Sequence, residues 1–223
     1  MITRFIKRFS QWARSRRAKI FKDCLAPSAD DRILDLGSGN GGHLARIIPY
    51  RTNVYIADIN SEKLAHGKNQ FGFNTVLLNE SGELPFPDDY FDIVFCSSVI
   101  EHVTVRKEDV KKFQTNREFF EAAYERQHQF ADEIRRVGKR YFVQTPNKYF
   151  PIESHTWLPV VIVFMPRRWQ VTTIDFLNKW WPKKTSPDWN LLRVQDMQAL
   201  FPEAEIAVEK VLGFTKSIMA IKK

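Results

Sequence analysis

The chain has 223 residues (26.2 kDa), 43% hydrophobic and 27% charged, with 11 prolines, 9 glycines and 2 cysteines. That length suits one domain with an extension or insertion, and the composition excludes a collagen-like, disordered or disulfide-built chain. The formal charge of +8 is local, because residues 1–22 hold eight Lys/Arg and no acid while the remainder balances at 26 basic against 26 acidic residues.

In chain order, residues 2–22 read as a helix whose apolar stripe is Ile2, Phe5, Ile6, Phe9, Trp12 and Ala13, at spacings of three and four. A strand follows over Arg32–Leu36. The turn Gly37-Ser-Gly-Asn-Gly-Gly42 then opens a helix from about His43 to Ile48. Asn53–Ala57 is a second strand ending at Asp58, and Ser61 is placed to cap a helix over 62–70. Thr75–Leu78 and Tyr90–Cys96 are further strands, 105–137 is polar and helix-prone, and Arg140–Thr145 is a fifth strand stopped by Pro146. Residues 146–192 change texture, holding 6 of the 11 prolines and 5 of the 6 tryptophans. A helix near 194–201 and two strands near 204–211 and 214–221, joined around Gly213, close the chain. Strands alternating with helices predict a mostly parallel sheet covered on both faces, with the last two strands as an antiparallel hairpin at an edge.

Cys24 and Cys96 are too few and too isolated for a disulfide framework or a zinc centre, so no metal is expected and a reduced, cytoplasmic setting is. The longest apolar run, Trp157 to Met165, is nine residues broken by Pro159, far short of the ~20 that cross a bilayer. The N-terminus lacks the uninterrupted apolar core of a secretory signal.

The glycine turn frees backbone N–H groups for a ligand. Gly37, Gly39 and Gly42 satisfy G-x-G-x-x-G, with Asp58 21 residues after Gly37, as a dinucleotide site wants; Gly37, Gly39 and Gly41 equally satisfy G-x-G-x-G. Asp35, two residues before Gly37, suits a cationic ligand better than a pyrophosphate, whose charge it would repel.

With Leu34-Asp-Leu-Gly-Ser-Gly-Asn-Gly41, Asp58, Glu83-Leu-Pro-Phe-Pro-Asp-Asp-Tyr-Phe-Asp92, Glu101-His-Val103 and Pro146-Asn147 in this order, the sequence resembles the class I S-adenosylmethionine-dependent methyltransferases of the broad small-molecule type. The resemblance covers roughly residues 30–147 and the closing strands. It implies an α/β, Rossmann-like seven-stranded sheet in order 3-2-1-4-5-7-6. The domain would occupy 27–223, behind a basic helical segment over 1–26, with 146–192 as an insertion capping the acceptor. It also implies that Asp35, Gly37, Gly39 and Gly41 lie at the methionine part of S-adenosylmethionine, that Asp58 binds the ribose hydroxyls and Ile59 meets the adenine. Glu80, Ser81 and Gly82 would border the adenine amino group, and Ser97 would sit on the pocket floor. The family more often has Asp where Glu80 stands.

Where base-modifying amino methyltransferases carry an Asn/Asp-Pro-Pro-aromatic loop, this chain reads Cys96-Ser-Ser-Val99, and Cys96 in a buried strand is a poor nucleophile for pyrimidine C5 chemistry. The block Thr145-Pro-Asn-Lys-Tyr-Phe-Pro-Ile-Glu-Ser-His-Thr156 falls at the carboxyl edge of the sheet, where open α/β folds place ligands. It resembles a PNxxFPxExHT pattern of bacterial methyltransferases, some associated with surface glycans. Glu153 and His155 read either as a carboxylate–imidazole pair with His155 as general base, or as groups bonding the insertion's own backbone. Glu101-His102 reads as an orienting pair, and His43, His66 and His128 as solvated. The expected reaction is O-methylation of a small or lipid-linked acceptor, such as a glycan or quinone-type precursor, with RNA methylation or non-catalytic binding as the alternatives. The basic helix has three readings: docked on the domain, lying on an anionic membrane surface through residues 1–22, with the protein peripheral on the inner membrane face, or bound to nucleic acid. The neutral body makes the last least favoured.

Overall fold

A computed structural model describes residues 2–79 and 82–223, with side chains from residue 10 onward. Seven strands form one sheet: β1 (Ile33–Leu36), β2 (Val54–Asp58), β3 (Asn74–Leu77), β4 (Phe91–Ser97), β5 (Gly138–Pro146), β6 (Glu205–Val211) and β7 (Phe214–Lys222). Their order is β3-β2-β1-β4-β5-β7-β6, as the resemblance implies. The first five strands are parallel. The closing hairpin returns with β7 antiparallel to both β5 and β6. β1 is buried along its whole length, as a central parallel strand covered on both faces must be.

Six helices complete the fold: α1 (Ile2–Leu25), α2 (Ser61–Phe71), α3 (Asn116–Val137), α4 (Val161–Phe164), α5 (Arg167–Leu177) and α6 (Val194–Leu200). On one face Phe21 and Leu25 of α1 and Leu64 of α2 pack with Ile33, Ile56, Phe95, Phe142 and Met219. On the other, Phe130, Ile134 and Val137 of α3 and Met197 and Leu200 of α6 pack with Leu34, Val94, Tyr141 and Ile218.

In α1, Ala13, Arg17, Phe21 and Leu25 are buried at four-residue spacing, so this half of the helix docks on the sheet. Phe21 stands edge-on to Phe95 and Phe142, at 4.9 and 5.5 Å between ring centres. Arg17 Nη1 lies 3.0 Å from the fully buried Glu209 Oε2. Arg16 donates to the Lys210 carbonyl, and the Trp12 ring stays half-exposed under the Arg16 guanidinium.

Two local expectations are corrected. The helix expected over 43–48 is a single 3-10 turn at Leu44–Arg46, because Pro49 follows at once and the Arg51 guanidinium takes the Ala45, Ile48 and Tyr50 carbonyls. The cap of α2 is Asn60, whose side chain accepts from the Lys63 amide, and Ser61 is already helical.

The insertion between β5 and α6 has its own small core of Ile162, Ile174, Trp189 and Leu191. Both its roots are bonded to the body, Asn147 N to Lys216 O and Asn190 N to Glu101 O, and to each other, Lys148 N to Leu192 O. Gln127 of α3, fully buried, ties this junction by donating to the Ile100 and Asn190 carbonyls and accepting from the Asn190 side chain.

Candidate active site

The glycine turn leaves β1 with Gly37, Gly39 and Gly41 all at positive φ (72°, 62° and 71°), a region glycine enters without penalty. A Cβ on Gly37 would lie 2.4 Å from Val99 Cγ1, so the turn after β1 and the loop after β4 meet without room for a side chain. A Cβ on Gly41 would meet Phe73 and Ile56 within 2.8 Å, which makes Gly41 the residue that seats the turn on the core. The Gly39 amide donates to Asp58 Oδ2 at 2.7 Å, and the Asn60 amide to Asp58 Oδ1 at 2.9 Å.

Asp35 is buried on β1 beside this turn. Burial, and then the charge of Asp58, push its carboxyl up to about 8. Among the described residues its Oδ2 has no hydrogen-bond partner, and neither does the buried hydroxyl of Ser38. An ammonium-bearing ligand would supply what Asp35 lacks, so the residues present fit the amino-acid end of S-adenosylmethionine. Ile59 follows β2 with 72% of its surface exposed, an apolar face at the sheet's carboxyl edge. Gly82 sits at φ 81° with open space where a side chain would go. Glu80 and Ser81 lie outside the described residues. Ser97 ends β4, its hydroxyl donating to Gln144 Oε1 at 2.8 Å, and Ser98 donates to the same oxygen. An open hollow of about 480 Å³ flanks the turn between Ser38–Asn40 and Glu62, Lys63 and His66 of α2; neither Asp35 nor Ser97 lines it.

Beyond Val99, the second group gathers. Glu101 is fully buried, and its Oε2 accepts from the Thr145 hydroxyl at 3.0 Å. Its Oε1 lies 3.9 Å from His155 Nε2. His155 Nδ1 is 2.7 Å from Glu153 Oε1, which also accepts the His155 amide, while Glu153 Oε2 takes the Thr156 amide. Burial would raise the Glu153 carboxyl, but the bonds from His155 and Thr156 outweigh it and hold it below the usual range. The His155 ring stacks on buried Trp189 at 5.4 Å and meets the His102 ring edge-on at 4.7 Å. Burial would lower His102, yet Asp188 and Glu101 prevail and the imidazole rises. The thiol of Cys96 is pushed up by burial and by the charges of Glu101 and Asp35, which leaves it protonated.

The two expected blocks, Glu101-His102 and Glu153–His155, thus come into contact. Glu153 bonds the insertion's backbone and the His155 ring at once. Asp188 and Gln144 escaped the sequence reading, because nothing in their own neighbourhoods marks them. His43, expected to be solvated, lies against the Phe95 ring, and burial with Arg14, Arg46 and Arg17 nearby brings its imidazole down to about 4.

A family model for the methyltransferase domain matches residues 34–141. Among curated proteins, the chain is 37% identical over 91 residues to the ubiquinone/menaquinone biosynthesis C-methyltransferase UbiE of Vibrio parahaemolyticus, a match spanning 37% of this chain and only 35% of that relative. Among solved structures, it resembles in fold magnesium protoporphyrin IX methyltransferase from Synechocystis PCC 6803 with bound SAH (TM-score 0.54, 12% identity, covering 100% of this chain and 88% of that one). It also resembles the trans-methyltransferase CalH complex with SAH (TM-score 0.58, 14% identity, 97% and 58% covered). Residues 34–141 therefore carry a class I S-adenosylmethionine-dependent methyltransferase domain, and S-adenosylmethionine is the methyl donor that its glycine turn suits.

Proposed function

We propose that this chain methylates a hydroxyl oxygen of a small or lipid-linked acceptor held beneath residues 146–192. The observation that carries this reading is the Glu153–His155 pair facing Glu101, in the loop that abuts the glycine turn at Val99. S-adenosylmethionine supplies, when bound, an electrophilic methyl group on a sulfonium. The Glu153 carboxylate fixes the proton of His155 on Nδ1, which leaves Nε2 to receive the acceptor's proton. The imidazolium so formed would have Glu101 Oε1 at 3.9 Å, and this otherwise unpartnered oxygen stabilises it. Trp189 holds the imidazole plane from behind.

The acceptor's apolar portion and a membrane surface are suggested by what the insertion exposes. Trp169 and Phe176, seven residues apart in α5, and Trp180 beyond it point outward, beside exposed Arg168, Lys179 and Lys184. Such a mixture suits the interface of an anionic bilayer. Arg16 and Arg17 of α1 are engaged with the β6–β7 hairpin, which weakens the nucleic-acid reading.

A second reading, carbon methylation of a quinone-type ring, is favoured by the likeness to the Vibrio enzyme over 91 residues. It would use the same base on a ring hydroxyl. The test is mass spectrometry of cell extract incubated with the protein and methyl-labelled cofactor. An O-methylated product supports the first reading, a ring-methylated product replaces it with the second, and no labelled product from a protein that binds S-adenosylhomocysteine points to the non-catalytic alternative.

A further inference from the structure

Three donors from two distant stretches of sequence converge at the acceptor side of the cleft. Glu101 and His102 come from the loop after β4, His155 from the insertion, and one ligand atom of each lies within 4.8 Å of the other two. No local pattern announces this grouping, because 54 residues separate Glu101 from His155.

The group is incomplete as it stands. Glu101 Oε1 is buried without a hydrogen bond from any of the described residues, and His155 Nε2 faces it at 3.9 Å. Glu153 accepts two backbone amides, so its oxygens act as acceptors and the proton on the His155 ring resides at Nδ1. Nε2 then presents a lone pair. Two electron-pair donors confront each other across a gap sheltered by Trp189, and a positive charge between them, a proton or a metal ion, makes the arrangement favourable. The third donor, on His102, stands beside the gap, with Asp188 Oδ1 3.8 Å from its Nδ1.

We propose that Glu101, His102 and His155 form a site for a divalent transition-metal ion of the zinc class. Two imidazoles and one carboxylate, with a coordination position left for water or an acceptor oxygen, are a donor set such ions take. At zinc–nitrogen and zinc–oxygen distances of about 2.0–2.2 Å, the donors of a tetrahedral site stand roughly 3.3 Å apart. The present spread, up to 4.8 Å, contracts when an ion binds. The Glu153–His155 bond is the outer carboxylate that metal-bound histidines commonly carry, fixing the ring's orientation and raising its basicity.

This inference rests on the role proposed above for His155. A proton and a metal ion claim the same lone pair on Nε2, so zinc holds His155 in a form that cannot accept the acceptor's proton. Zinc thus inhibits transfer at the acceptor side while leaving the cofactor cleft unaltered.

The test is a zinc titration of the full chain after chelator treatment, against a competing chromophoric chelator, with S-adenosylhomocysteine affinity measured on the same samples. One zinc equivalent is expected to bind. Glu101→Gln and His155→Ala are expected to weaken it at least tenfold, with His128→Ala, whose exposed ring on α3 pairs with Asp132 outside the cluster, binding as the wild type does. Retained S-adenosylhomocysteine binding shows that each variant is folded. Absent zinc binding, or equal binding by wild type, Glu101→Gln and His155→Ala, overturns the metal site while the methyl-transfer reading stands. Zinc binding in a wild-type protein that fails to bind S-adenosylhomocysteine instead overturns the methyl-transfer reading.

Discussion

Asp58 Oδ2 accepts the Gly39 amide at 2.7 Å, so the acid at the end of β2 clasps the turn that follows β1. Its other oxygen holds the Asn60 amide at 2.9 Å, just ahead of α2. Each oxygen keeps a lone pair for a ribose hydroxyl, and one carboxylate can shape the turn and meet the ligand together.

Asp58→Ala removes both bonds and is expected to weaken S-adenosylhomocysteine by about 2 kcal/mol, roughly thirtyfold, since hydrogen bonds to charged groups contribute about 1.5–3 kcal/mol each. Calorimetry measures the affinity. An affinity equal to the wild type would remove Asp58 from the cofactor site.

Asp35 gives a pH signature. With its carboxyl pushed up to about 8, the free protein holds this proton at pH 7, while an unfolded chain does not. The folded state therefore binds the extra proton between the ordinary aspartate range near 4 and about 8, and stability falls as pH rises across that window. An arriving ammonium group favours the carboxylate, so S-adenosylhomocysteine binding at pH 7 is expected to release a proton. Calorimetry in buffers of different ionisation heat reads this release. Asp35→Asn should abolish it and flatten the stability profile; a wild-type binding heat independent of buffer would contradict the assignment.

Gly37→Ala sets a Cβ 2.4 Å from Val99 Cγ1 and holds alanine at φ 72°. Overpacking together with left-handed strain is expected to cost about 1–3 kcal/mol, visible as a shifted urea midpoint. Gly39→Ala meets only the flexible Lys63 side chain, at 3.3 Å, and is expected to destabilise less.

Arg17→Met leaves Glu209 buried with only Lys216, 4.0 Å away, as an ionic neighbour. A loss of about 3 kcal/mol is expected, because an uncompensated buried charge remains. Adding Glu209→Gln should recover part of that loss in chemical denaturation.

Trp169→Glu with Phe176→Glu should reduce cosedimentation with anionic vesicles several-fold and leave S-adenosylhomocysteine binding unchanged. Pelleting equal to the wild type would remove the lipid surface from the proposed function.

Much of this was legible in the sequence because cofactor blocks are local. Gly37–Gly41, Asp58 and Ser97 each end a strand, and the strand order brings those ends together. The short turn after the glycines was not legible, because its outcome depends on Arg51, beyond the segment, capturing three carbonyls. The readings of α1 could not be separated by periodicity, since its stripe looks alike whether covered by lipid or protein. Ala13, Arg17 and Phe21 meeting Glu209, Phe95 and Phe142 decides for docking of that half. The Glu101–His155 juxtaposition arises only from tertiary packing.

The two bonded roots of the insertion have a mechanical consequence. A segment fixed at Asn147–Lys148 and again at Asn190–Leu192 is an arch, with no free edge to swing. Opening at the crown, within residues 150–187, would have to break the bonds of Met165 to Asn116, Arg168 to Gln114 and Asp175 to Lys111, while Trp189 and the imidazole it supports stay anchored near the far footing. An acceptor with a long tail would then thread beneath the span, its reactive end at the inner wall and its tail still outside.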